Sequence, residues 1–181
     1  MSGEKEKIIV VGPLDSIGGL STYINNLISS SLRKVYDFHC FSDNSHHKNK
    51  FLIALNQIKL LLDLTKEIRI LNPKFVLLHN NSVGLSFIFK YLQILVCKLC
   101  RVRAISRFGS GKTVDKYNNR NLHSYLLKSY INLNYKILVQ TKYSRIFYEQ
   151  FASKNIVHIL PNFVLGKDIN FREKRNKKTL N

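Results

Sequence analysis

Residues 7 to 27 read KIIVVGPLDSIGGLSTYINNL: a short run that is apolar on both sides, a loop containing glycine, then apolar residues at helical spacing. A strand with no polar face is one buried between two layers, as in parallel sheets. A helix opening directly after it is the start of a right-handed crossover. The same cycle recurs down the chain. Further strands are expected at 35 to 42 (VYDFHCFS), 74 to 80 (KFVLLHN), 102 to 106 (VRAIS), 135 to 141 (YKILVQT) and 156 to 160 (IVHIL). Helical spacing fills the intervals, in GLSTYINNLISSSL, NKFLIALNQIKLLLDLTKEIRIL, NLHSYLLKSYINLN and KYSRIFYEQFASK, and Asn72-Pro73 stops the second of these. The expected class is α/β: a doubly wound, mainly parallel sheet of about six or seven strands with helices on both faces.

At 181 residues the chain suits one buried domain. Hydrophobic residues at 45% exclude wholesale disorder. The formal charge of +18 favours anionic surroundings such as phospholipid or phosphorylated glycan. The cations are scattered rather than gathered in one stripe, and no helix-turn-helix, zinc or ribonucleoprotein signature accompanies them, so no specific nucleic-acid partner is expected. Cys40, Cys97 and Cys100 are an odd number in a chain that opens MSGEKEK, which lacks the order of a signal peptide. That points to reducing cytoplasm. Cys97 and Cys100 read as helix-face cysteines, and no metal site is expected. The run from 83 to 100, VGLSFIFKYLQILVCKLC, is broken by Lys90, Gln93 and Lys98, which suits a buried or membrane-surface helix rather than a span. An anionic membrane surface is therefore an expected partner, with the chain peripheral on its inner face. Residues 1–165 are read as the domain and 166–181, ending KRNKKTLN, as a basic linker or tail.

Ligands of parallel sheets lie beyond the carboxyl ends of the strands. Three loops there carry chemistry. In GPLDSIGGLSTYINNL, Gly18 and Gly19 let a ligand approach the backbone where the unpaired N–H groups of a first helical turn favour an anion; a tight turn needing glycine for its angles is the plainer reading. The spacing is not that of a dinucleotide fingerprint, and no acidic residue closes the second strand as a ribose partner. In LLHNNSVG, His79, Asn80, Asn81 and Ser82 crowd donors and acceptors suited to sugar hydroxyls, although a histidine at a strand end also commonly satisfies backbone. The third loop, ISRFGSGKTVD, contains Gly109-Ser110-Gly111-Lys112-Thr113. A Walker A loop needs a glycine five positions before Gly111, and Ser106 stands there, with no aspartate-ended strand to hold Mg²⁺.

Taken together, GPLDSIGGLSTYINNL, NPKFVLLHNNS, YKILVQTKYSRIFYEQF and IVHILPNFV, in this order over residues 7 to 164, resemble the N-terminal, acceptor-side domain of GT-B glycosyltransferases of the large retaining family 4. The resemblance implies a Rossmann-like domain in which Gly18, Gly19 and Leu20 contact the donor diphosphate. His79, Asn80, Asn81, Arg107, Gly109, Ser110 and Lys112 would line the acceptor cleft, with Arg107 and Lys112 available to an acceptor phosphate. It implies a nucleotide-sugar donor, UDP- or GDP-linked, as substrate and no separate cofactor. The acceptor would be a glycan or lipid-linked chain in lipopolysaccharide or capsule synthesis. The family's donor-binding domain, with its paired glutamates, would begin about where this chain ends, so it is expected as a separate or missing partner. The family often has His before Gly after the fourth strand; Phe108 stands there, which makes a non-catalytic binding or scaffold module the alternative, and no catalytic residue is assigned.

Because the Walker glycine is missing, the chain is expected to show no measurable ATP binding in equilibrium dialysis; an affinity that falls on Lys112→Ala would overturn this reading.

Overall fold

A computed structural model describes residues 5–14, 18–43, 50–80, 85–109, 122–153 and 155–161 of the chain. Six strands are found among them: β1 Glu6–Gly12, β2 Tyr36–Ser42, β3 Phe75–Asn80, β4 Arg103–Phe108, β5 Lys136–Val139 and β6 Val157–Ile159. All pair in parallel, in the order β2-β1-β3-β4-β5-β6. The chain leaves β1 toward one edge and returns past it to β3, so the order reverses between β1 and β3. In a doubly wound sheet that switch point is where the crevice opens.

Among the described residues five α-helices connect the strands: α1 Gly19–Ser29, α2 Lys50–Leu71, α3 Leu85–Leu99, α4 Leu122–Leu133 and α5 Lys142–Glu149. Alternation of side chains along each strand splits the core in two. On one face Val10 and Leu77 meet Tyr23, Ile24 and Leu27 of α1. On the other, Val11, Leu78 and Ala104 belong to a larger cluster that α2 to α5 cover, through residues such as Leu64, Ile94 and Leu127. The expected doubly wound sheet with helices on both faces is therefore present. No described helix is long and apolar enough to cross a membrane.

Local chemistry sets the ends of the elements. Asn72 closes α2 at φ 44°, its N–H on the Ile68 carbonyl at 3.1 Å, ahead of Pro73. Arg101 closes α3 at φ 56°, with Val102 N–H on the Cys97 carbonyl at 3.0 Å and its own N–H on Lys98 at 3.1 Å, a Schellman ending with arginine where glycine is usual. The first helix stops sooner than its apolar spacing suggested. Ser30 donates to the Leu27 carbonyl at 2.7 Å and accepts from Leu32 N–H, which turns the chain into a short 3-10 segment, Ser31–Lys34. Thr141 caps α5 by accepting from Ser144 N–H at 3.1 Å. In the opposite sense, β4 extends past the expected end at residue 106 to Phe108, because Arg107 and Phe108 pair in register with β3 and β5. Cys97 is buried on the inner side of α3, where burial pushes its thiol up to about 12, and Cys100 is half-buried.

One glycine is needed for close packing. A Cβ on Gly12 would lie 2.7 Å from Ile24 Cδ1 and 2.9 Å from His79 Cβ. Gly12→Ala must push α1 or β3 outward and is expected to cost about 1–3 kcal/mol in urea unfolding; a change under about 0.5 kcal/mol would show that the contact yields freely.

Candidate functional site

At the carboxyl ends of β1, β3 and β4, on the face covered by α1, three residues sit side by side. Gly12 ends β1, His79 is the penultimate residue of β3, and Arg107 is paired in register with His79 across β3 and β4. Tyr23, one turn into α1, closes over them. Its ring lies 3.7 Å from the Arg107 guanidinium carbon and 5.6 Å from the His79 ring, and its phenol hydrogen-bonds Arg107. His79 is 1% exposed and Arg107 0%.

Neither ring nitrogen of His79 has a hydrogen-bond partner among the described residues. The plain reading of this histidine, as a group that satisfies neighbouring backbone, does not hold. Burial and the nearby Arg107 and Lys90 lower its pKa from 6.5 to about 3. The imidazole is therefore neutral at physiological pH, with one donor and one acceptor to offer. Burial also lowers the pKa of Arg107, against which the Tyr23 phenol works.

Lys90, from the middle of α3, reaches the same end of the sheet and is buried in a salt bridge with Asp43, which immediately follows β2. Asp43 N–H donates to the Gly12 carbonyl at 3.2 Å, and Gln57 of α2 donates to the Asp43 carbonyl at 3.2 Å. An acidic residue thus does close the second strand, contrary to the expectation from sequence. Lys90 takes up its carboxylate.

Gly18 and Gly19 open α1. A Cβ at either would meet nothing within 4 Å, and Gly18 has an extended backbone at φ 167° that any residue adopts. Neither crowding nor backbone angle within the described chain calls for glycine here. No side chain caps the N-terminus of α1, and the Ser21 and Thr22 hydroxyls donate to the Gly18 carbonyl at 2.9 Å and 3.0 Å. The first-turn N–H groups thus donate to no cap side chain. The side chain of Leu20 packs against the α1 core, so only its backbone is available to a ligand.

The structure brings His79 and Arg107 together and separates Asn80 from them. Successive residues of a strand face opposite sides, and the Asn80 side chain lies on the side of the Tyr130 phenol, which shares a 2.6 Å hydrogen bond with Ser106. Arg107, expected in a loop, is a strand residue. Gly109 follows β4, its N–H on the Asn80 carbonyl at 3.3 Å. Asn81, Ser110 and Lys112 lie outside the described residues. Phe108 points away from the cleft into the larger core, its ring 4.4 Å from that of Tyr148. Sequence reasoning missed Tyr23 and the Lys90–Asp43 pair. The available signals were an aromatic on the inner face of the first turns of α1 and a lysine at a core position of an apolar helix.

The displaced pKa of His79 has a testable sign. An unfolded imidazole takes up a proton near 6.5 and the folded one only near 3, so the unfolded state binds more protons in between and stability falls as pH drops through that window. His79→Gln should flatten the decline by about 1.4 kcal/mol per pH unit between about pH 6 and pH 4 in urea titrations; parallel curves would refute it.

No protein-family model matches the chain, and no curated protein matches it. Among solved structures it is similar to the UDP-GlcNAc 2-epimerase from Methanocaldococcus jannaschii, at 12% identity and a TM-score of 0.55 over 87% of this chain and 45% of that one. It is also similar to a UDP-glycosyltransferase from Glycyrrhiza uralensis solved with glycyrrhetinic acid 3-O-monoglucuronide, at 10% identity and a TM-score of 0.47 over 80% of this chain and 40% of that one. The chain spans a little under half the length of these proteins. The likeness to the epimerase shows the fold: a Rossmann-like α/β domain with an all-parallel sheet.

Proposed function

We propose that this chain is the acceptor-side half of a retaining glycosyltransferase, acting with a separate donor-binding domain to move a sugar from UDP or GDP to a glycan or lipid-linked acceptor of a cell-surface polysaccharide. The observation that carries the reading is the buried pair at the switch point: His79, whose ring nitrogens have no partner among the described residues, beside the Arg107 guanidinium. A neutral imidazole suits a hydroxyl and a guanidinium suits a phosphate oxygen. The uncapped start of α1, with room for close approach at Gly18 and Gly19, supports a diphosphate docked from the facing domain.

In this reading the chain positions and a donor-binding domain activates. Among the described residues, the groups gathered here include no carboxylate free to act as nucleophile, since Lys90 holds Asp43. His79 and Arg107 orient the acceptor, and Tyr23 keeps the guanidinium in place from above. A specific observation also favours the alternative of a binding or scaffold module: Phe108, where the family often has histidine, belongs to the core and presents no polar group to the cleft.

Calorimetry on the chain alone is expected to detect a phosphorylated saccharide acceptor and little or no UDP- or GDP-sugar, with Arg107→Lys weakening the acceptor about tenfold, roughly 1.4 kcal/mol. Tight nucleotide-sugar binding by this chain, or indifference to the substitution, would overturn the reading. Adding a donor-binding chain separates the two functions, because turnover by the pair excludes a purely structural module.

A further inference from the structure

The amino-terminal edge of the sheet, the end away from His79, gathers cations without carboxylates to match them. Beneath the starts of β4, β5 and β6 lies a hollow of about 880 Å³. It is lined by Lys98 of α3, Arg101 of the turn that follows, Arg103 at the start of β4 and Lys136 at the start of β5. At Arg101 and Val102 it joins a second hollow of about 350 Å³, to which α2 contributes Arg69. Among the described residues no Asp or Glu lines either hollow, and the salt bridges engage none of these five cations.

The carboxyl end of a helix attracts cations, and that accounts for Lys98 in the last turn of α3. It does not account for the other three in the larger hollow. Arg101 stands at φ 56°, a backbone that glycine adopts freely and a long side chain does not, so arginine holds the position against local preference. Arg103 and Lys136 project from the same face of the sheet, since Lys136 is in register with Ile105. As diagonal neighbours on adjacent strands they are close enough for their like charges to repel. The Tyr135 ring lies against both, 4.9 Å from the Arg103 guanidinium carbon and 5.9 Å from Lys136 Nζ. Lys136 also donates to His158 Nε2 at 2.8 Å. These contacts hold the two cations in place without cancelling their charge.

Charge and shape select the ligand. Toward β3 the run of cations is interrupted, because Lys74, close to Arg103, is taken by Glu6. The unmatched charge is confined to a concavity of the size that holds a small ligand. A nucleic-acid strand or a bilayer surface is matched by charge spread along a groove or a face. Each phosphodiester of such a polymer or lipid also brings a single negative charge, whereas a phosphate monoester or diphosphate concentrates about two or more in one compact group. The length of β4, about 20 Å, separates the hollow from the crevice at Arg107, so one small molecule does not fill both. We propose that this hollow is a second binding site, for a small molecule bearing a phosphate monoester or diphosphate, with Arg101 and Arg103 as its main contacts.

The test titrates the isotope-labelled full chain with inorganic pyrophosphate and follows amide resonances, which report position as well as affinity. The signals of residues 101–103 and 134–136 are expected to move together and saturate. Arg101→Gly should weaken this binding at least about tenfold and leave the chain at least as stable in urea, because glycine suits φ 56°. Arg103→Gln should weaken it as well, by a route that leaves the turn after α3 untouched. Lys66→Gln with Lys128→Gln, both exposed and outside the two hollows, should change the affinity by less than about twofold. Arg107→Lys should leave it unchanged, so this site stands or falls separately from the crevice. Shifts confined to the crevice would overturn the proposal, and so would equal weakening by Arg103→Gln and by the lysine pair, which would mean attraction by net charge alone. Retention on phosphatidylglycerol vesicles or single-stranded RNA that Arg101→Gly removes and pyrophosphate does not displace would overturn it in favour of a lipid or a nucleic acid.

Discussion

The structure depends on how closely three elements converge at the end of β1. Gly12 has no Cβ, and the space one would fill is occupied by Ile24 of α1 and His79 of β3. A parallel sheet must be covered on both faces, and on this face α1 supplies the cover for β1 and β3. Its distance from the sheet is set where the side chain is missing. That distance places Tyr23 over Arg107 and encloses His79. Packing and site geometry here have one cause.

The price of this arrangement is polar burial at the carboxyl ends of the strands. An imidazole without partners among the described residues costs on the order of 1–3 kcal/mol, and a buried ion pair such as Lys90–Asp43 contributes little net stability against a hydrophobic equivalent. What the pair does is geometric. Through the Gly12 carbonyl and Gln57 it links β1, the end of β2, α2 and α3. The rest of the core, from Leu64 to Val157, is conventional apolar packing that can bear such costs. Costly groups retained where a doubly wound sheet opens its crevice are what a binding site requires.

Most of the fold was legible in the order of residues. Six short runs, most of them apolar on both sides and separated by helical spacing, admit few arrangements other than a parallel sheet between helices, and each run proved to be a strand. The errors fell at the ends. Ser30 stopped α1 through its hydroxyl, and Arg107 and Phe108 stayed in the sheet because β3 and β5 offered them partners. The site was legible as a list of residue types and not as a constellation. His79 and Asn80 look like one polar group in sequence, yet the pleat sends one under α1 and the other to Tyr130. Tyr23, Lys90 and Asp43 gave weak signals, since an aromatic or a lysine on an amphipathic helix has no visible partner until strands far apart in sequence align.

The sequence by itself determined the class of fold, the strands, the crossovers and the glycines that start α1, because these follow from local periodicity and backbone freedom. Only the tertiary structure decided that His79 stands beside Arg107 and apart from Asn80, and that Asp43 is held by Lys90. Those facts depend on register between strands and on which face each helix covers, and neither is encoded within any short stretch of the chain.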